Sequence, residues 1–307
     1  MSLILSILMN VGIVVGGTVL VFLAACAVVV PLMMLSDAIK GRGRRRKPSG
    51  PSDFGRIRGR MTRAALPTLL LTPAKDPGFS KLGGDPELPP GMEWPPGDRG
   101  PRAFVAQIEL GALRAHGGPE WLSDEGRIYA FVDEERNGFA DLVCVLHSSE
   151  PPGPARAAAS GPGKPFPERR VAFETYESVP SLDWLGIDPT EINVSPEELD
   201  QLAGAPDAPM GDELQHRIGG YPSEIQDEQM AISCELMRRG LPPEYEGTEI
   251  TPAIERASKQ WRLLLQIDSD PALKMNWGDG GRLYVFIREK DALKGDFSQT
   301  VTISQTY

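Results

Sequence analysis

The chain has 307 residues with a formal net charge of −10 at pH 7 and only three cysteines. That acidity argues against an extended surface for nucleic-acid phosphates. So few cysteines exclude a disulfide-built secreted scaffold.

The opening run "MSLILSILMN VGIVVGGTVL VFLAACAVVV PLMML" has no charged side chain before Asp37. About 20 apolar residues cross a hydrocarbon core, so the sequence predicts one transmembrane helix over 3–35. "LAAC", Leu23–Cys26, resembles a lipoprotein processing box, but the leader has no basic start and stays apolar after Cys26, which favours a spanning helix. "GIVVG", Gly12–Gly16, is a small-residue pattern that brings membrane helices together in some proteins. Lys40, Arg42, Arg44, Arg45, Arg46 and Lys47 follow the run at once. This bias places the N-terminus outside and the rest in the cytoplasm, at an inner or plasma membrane.

Residues 36–63 hold ten Lys and Arg against Asp37 and Asp53. They read as a basic flexible tether whose Arg44, Arg45, Arg46 and Lys47 would contact anionic lipid headgroups. The 64–307 region is the expected globular domain.

Within it the chain repeats itself. "SKLGGDPELP" from Ser80 returns as "HRIGGYPSEI" from His216, and "RAFVAQIEL" as "WRLLLQIDS". "GRIYAFVDEE" from Gly126 returns as "GRLYVFIREK" from Gly281, and "ADLVCVLHSS" as "SQTVTISQTY". Matched order means an internal duplication, with halves at about 78–150 and 214–307. The alternation of apolar and polar residues makes most of these segments strands. Gly83, Gly84, Gly219 and Gly220 mark repeated turns, and Gln107 and Gln266 each follow an apolar run. A buried glutamine must satisfy its amide, so both are expected to bond turn backbone.

Between the halves, 148–168 is dense in Pro, Gly and Ala and reads as an exposed loop. "SPEELDQLAG" signals a helix with Ser195 as N-cap, Pro196 in the first turn and Gly204 past its end. "DEQMAISCELMRRG" signals another, with Met230, Cys234 and Met237 on one face and Gly240 as its stop. The expected fold class is α+β: mostly antiparallel β with an internal duplication and inserted helices, preceded by the transmembrane helix, with two sheets sharing one core.

"SKLGGDPELPPGMEWP", "FVAQIEL", "HRIGGYPSEIQ", "WRLLLQIDSD" and "MNWGDGGRLYVFIREKD" together resemble the YwqG-like family, a bacterial domain of unknown function, over about 66–307. The resemblance implies an α+β domain and carries over no catalytic set.

No HExxH, paired CxxC, G-x-S-x-G or P-loop occurs, so neither metal nor cofactor is called for. "GDGG", Gly278–Gly281, suits either an anion-holding backbone nest or a tight turn before a strand. His116 and His147 read as surface or partly packed histidines. His216 has Ser80 as its counterpart, so the histidine itself is not repeated. Glu109, Asp268 and Asp279 fall at strand ends. The reading that follows is a protein-binding or regulatory module with a protein partner and no nucleic acid. Its rival is a small-ligand sensor or hydrolase with a cleft between the two copies, gathering His216, Trp277, Asp279 and Gly280.

Overall fold

The computed structural model describes residues 50–75, 78–133, 141–158, 165–203, 215–226, 229–243 and 248–307. Of two compact units, Met1–Pro51 lies outside the described residues but for 50 and 51, and Ser52–Tyr307 carries the fold. Among the described residues it has ten strands: β1 (Leu66–Pro73), β2 (Lys81–Leu82), β3 (Ala103–Glu109), β4 (Arg127–Val132), β5 (Val143–Ser148), β6 (Arg169–Ser178), β7 (Arg217–Gly219), β8 (Trp261–Asp268), β9 (Arg282–Arg288) and β10 (Val301–Gln305). They form one sheet in the order β10-β9-β8-β7-β1-β6-β2-β3-β4-β5. Every pairing is antiparallel.

The matched segments share a geometric feature. Both copies break register at the same place, between Phe104 and Ala106 in β3 and between Leu263 and Leu265 in β8. The strand that precedes each copy, however, lies against the other copy. β1 precedes the first copy in the chain yet pairs with β7, while β6 precedes the second and pairs with β2. β1 and β6 then pair with each other along their length, from Leu66↔Ser178 to Pro73↔Val171. This exchange welds the halves into one sheet.

The outer strands approach as well: the Val143 backbone N–H of β5 donates to Thr302 Oγ1 of β10 at 3.2 Å. The sheet is thus a nearly closed barrel, and curling leaves few strand edges exposed. Residues facing inward from both copies, such as Leu69, Val105, Ile128, Leu264 and Val285, make one core cluster.

That architecture corrects the expected class, α+β with a preceding transmembrane helix. The two sheets are one, because each lends a strand to the other, and the helices are short pieces around a β fold. These are α1 (Phe54–Arg63), α2 (Leu110–Ala115), α3 (Pro196–Ala203), α4 (Met230–Arg238), α5 (Pro252–Ser258) and α6 (Glu289–Ala292). Among the described residues no helix is long and apolar enough to cross a membrane. The run expected to do so, 3–35, lies outside the described residues, as do Arg44, Arg45, Arg46 and Lys47.

The tether expectation differs too. Phe54–Arg63 is helical because Ile57 and Met61, one turn apart, are buried against Leu182, Ile187 and Leu202. α3 opens with a reciprocal cap: Glu198 N–H donates to Ser195 Oγ at 3.1 Å, and Ser195 N–H to Glu198 Oε2 at 2.8 Å. α4 lays Met230 and Cys234 on the outer face of the second copy, against Trp261, Leu263, Tyr284 and Phe286. Part of the 148–168 loop follows the 86–92 segment, with Gly153 N–H donating to Leu88 O at 3.1 Å and Arg156 N–H to Pro86 O at 3.1 Å.

Candidate functional site

The repeated turns are built alike. In the first copy, Gln107 Oε1 accepts the N–H of Glu87 at 2.9 Å, and its Nε2 donates to Phe79 O at 2.8 Å. In the second, Gln266 Oε1 accepts the N–H of Ser223 at 2.9 Å, and its Nε2 donates to Gln215 O at 3.2 Å and Asp268 Oδ1 at 2.9 Å. Both glutamines are fully buried, so each amide closes a turn around its Gly-Gly pair. A cation sits at the same point of each: Lys81 opposite Gln107 and Arg217 opposite Gln266. Lys81 Nζ donates to Asp85 O at 2.6 Å, and Arg217 Nη1 to Tyr221 O at 3.2 Å.

The four glycines all have positive φ, from 62° to 72°. A Cβ at Gly84 would come within 2.5 Å of Glu168 Oε2, and one at Gly220 would overlap Thr68 Oγ1. These turns therefore press against the residues entering β6 and against β1.

His216 is clamped. Its Nδ1 accepts the N–H of Asp268 at 3.1 Å, which puts the ring proton on Nε2, 3.3 Å from Asp270 Oδ2. The same oxygen pairs with Arg169, and Asp270 Oδ1 accepts from Ala272 N–H at 2.9 Å and Leu273 N–H at 3.3 Å. Burial pushes the Asp270 carboxyl up. The hydrogen bonds from His216 and Arg169, with the guanidinium charge, outweigh that and hold it well below the usual carboxylate range. With both oxygens engaged, Asp270 ties β6 to the 269–275 turn and has no free face for a substrate.

Trp277, Asp279 and Gly280 each make contacts within the chain. Trp277 is buried, its ring edge-to-face with Phe166 at 5.9 Å. Asp279 and Gly280 are exposed on the "GDGG" turn, where Gly278 and Gly280 have φ of 90° and 60°. Tyr307 N–H donates to Asp279 O at 3.1 Å, and a Cβ on Gly280 would meet the Tyr307 ring at 3.1 Å. The turn thus packs against the chain. Burial pushes up the thiols of both Cys144 and Cys234, the opposite of an activated nucleophile.

A cleft does lie between the copies, lined by other residues. It has a volume of about 590 Å³. Leu66 and Pro67 of β1, the 117–119 turn and Trp121 of the first copy, and Gly220 and Arg262 of the second enclose it. It lies where β7 ends at Gly219 while its neighbours β1 and β8 run on. Arg114 stiffens one wall, donating to Leu122 O at 2.6 Å. Arg262 Nη2 is held by Glu289 Oε2 at 2.9 Å. None of His216, Trp277, Asp279 or Gly280 lines this space.

Residues 80–305 match a family model described as a domain of unknown function, DUF1963. The chain belongs to the DUF1963 family. No curated protein matches it. The DUF1963 match takes in the four repeated segments, the last of them as far as Gln305, and begins after β1, the strand that forms one wall of the cleft. Sequence reasoning missed Leu66, Trp121, Arg262 and the Asp270 clamp. One signal was present: Trp121 and Trp277 each lie in the connection leading to a repeated Gly-Arg pair, Gly126–Arg127 and Gly281–Arg282.

Proposed function

We propose that this DUF1963 domain, which we read as YwqG-like, is a protein-recognition module that engages its partner at the cleft between the two copies. The observation that carries this reading is the lining of the cleft. Leu66, Pro67, Pro119 and Trp121 give an apolar and aromatic wall flanked by arginines, which suits capture of an extended segment. Among the described residues the lining holds no histidine, cysteine, serine or lysine, and Glu120 is the one carboxylate in it, so no nucleophile–base pair converges among them. The volume is within the range of ligand sites, about 300–1,000 Å³.

A photoreactive amino acid at position 120 of the full chain, compared with one at the exposed Leu293, tests the reading. A protein crosslinked from 120 and not from 293, and lost when Arg262→Glu is added, supports it. A partner crosslinked from both, or unaffected by Arg262→Glu, places recognition elsewhere.

A further inference from the structure

The protein contains a second seam of the same kind, and that seam is filled. Leu82 pairs with Arg169 in one copy, and Ile218 pairs with Leu69 in the other. Leu82 and Ile218 each precede a repeated Gly-Gly pair, so Arg169 and Leu69 are equivalent. Three residues earlier on each exchanged strand stand Phe166 and Leu66. Phe166 is buried edge-to-face on Trp277, the tryptophan of the connection before Gly281. Leu66 is half-buried and lines the cleft with Trp121, the half-buried tryptophan of the connection before Gly126. The two seams thus present equivalent residues. An aromatic ring closes one, while the shorter leucine and the longer 110–126 connection leave the other open.

Resting on the reading of the cleft as a recognition site, we infer that its occupant is a phenylalanine or tryptophan side chain presented by an extended peptide segment. The ring would stand against Trp121 as Phe166 stands against Trp277. Edge-to-face aromatic pairs add attraction beyond the area they bury, and Arg262 at the cleft margin offers a cation to a ring face. A leucine or alanine in the same place would leave part of the space unfilled, and unfilled apolar space weakens packing.

The test uses the full chain and three capped tripeptides, acetyl-Asp-Phe-Asp-amide, acetyl-Asp-Leu-Asp-amide and acetyl-Asp-Ala-Asp-amide. The readout is the indole N–H resonance of Trp121, assigned by Trp121→Phe. The phenylalanine peptide should move it saturably, at least tenfold more tightly than the alanine peptide. Leu66→Phe, which installs the first copy's own plug, should abolish that shift while leaving the Trp277 resonance in place as proof of folding. Equal shifts from all three peptides would overturn the aromatic occupant and leave a cleft that reads backbone alone. No shift from any peptide, with the position-120 crosslink still obtained, would also overturn it while the recognition site stands. Loss of that crosslink as well would remove the recognition site itself.

Discussion

Ser80 and His216 perform one task with different atoms: Ser80 Oγ accepts the backbone N–H of Glu109 at 3.0 Å, and His216 Nδ1 accepts that of Asp268 at 3.1 Å. The histidine therefore belongs to the framework of these matched turns. Its second nitrogen adds a partner, Asp270, that the serine cannot reach.

This division of labour can be separated by mutation. His216→Ser should keep the bond to Asp268 N–H and lose the one to Asp270, costing about 1–2 kcal/mol. His216→Leu should lose both and leave Asp268 N–H buried without a partner, costing about 3 kcal/mol. Urea unfolding of the two variants would show the difference. Equal losses would mean that the Asp268 contact contributes nothing.

Glycines with similar φ should respond differently. Gly220→Ala would force a Cβ onto Thr68 Oγ1, whereas Gly240, with φ of 70°, has nothing within 4 Å of a Cβ. Gly240→Ala should cost only the left-handed backbone term, about 1–2 kcal/mol. Gly220→Ala should cost several times that, or prevent folding, because β1 is caught between β6 and β7. Thermal melts of the two variants check the ranking.

Glu235 should make acid stability steep. Burial pushes its carboxyl up, but hydrogen bonds from Arg238, Arg239 and Trp261 outweigh this and hold it at about 2, below its ordinary 4.5. A carboxyl lowered by folding adds stability that is present above the ordinary value and is lost as pH falls through the folded one. The contribution should disappear between pH 4.5 and about 2. Glu235→Gln should be destabilised at pH 7, by about 1–2 kcal/mol because the two arginines left behind are partly exposed and water screens them. It should also flatten the stability profile across that window. A parallel profile for variant and parent would contradict the assignment.

The repeated strands and turns were legible because their side chains recur: both Gly-Gly pairs, both glutamines and both Gly-Arg strand starts survive as letters. The exchange of β1 and β6 was not, because "LPTLLLTP" and "RRVAFETYES" share almost no residues and are equivalent only through their pairing with Ile218 and Leu82. Ser80 hid the equivalence of His216 in the same way, since accepting one N–H needs an acceptor atom and not a particular residue. The cleft left no motif at all. It is made by a shorter side chain at Leu66 and a longer connection before Gly126. Asp270 was also hidden, since its partners Arg169 and His216 are far from one another in the chain.

The most direct measurement is recovery of the protein crosslinked at position 120 from the parent chain and from Leu66→Phe, in parallel and at equal expression. A filled cleft should lower recovery at least tenfold without lowering the melting temperature. Equal recovery from a folded Leu66→Phe protein would show that the cleft between the copies is not where this domain recognises anything.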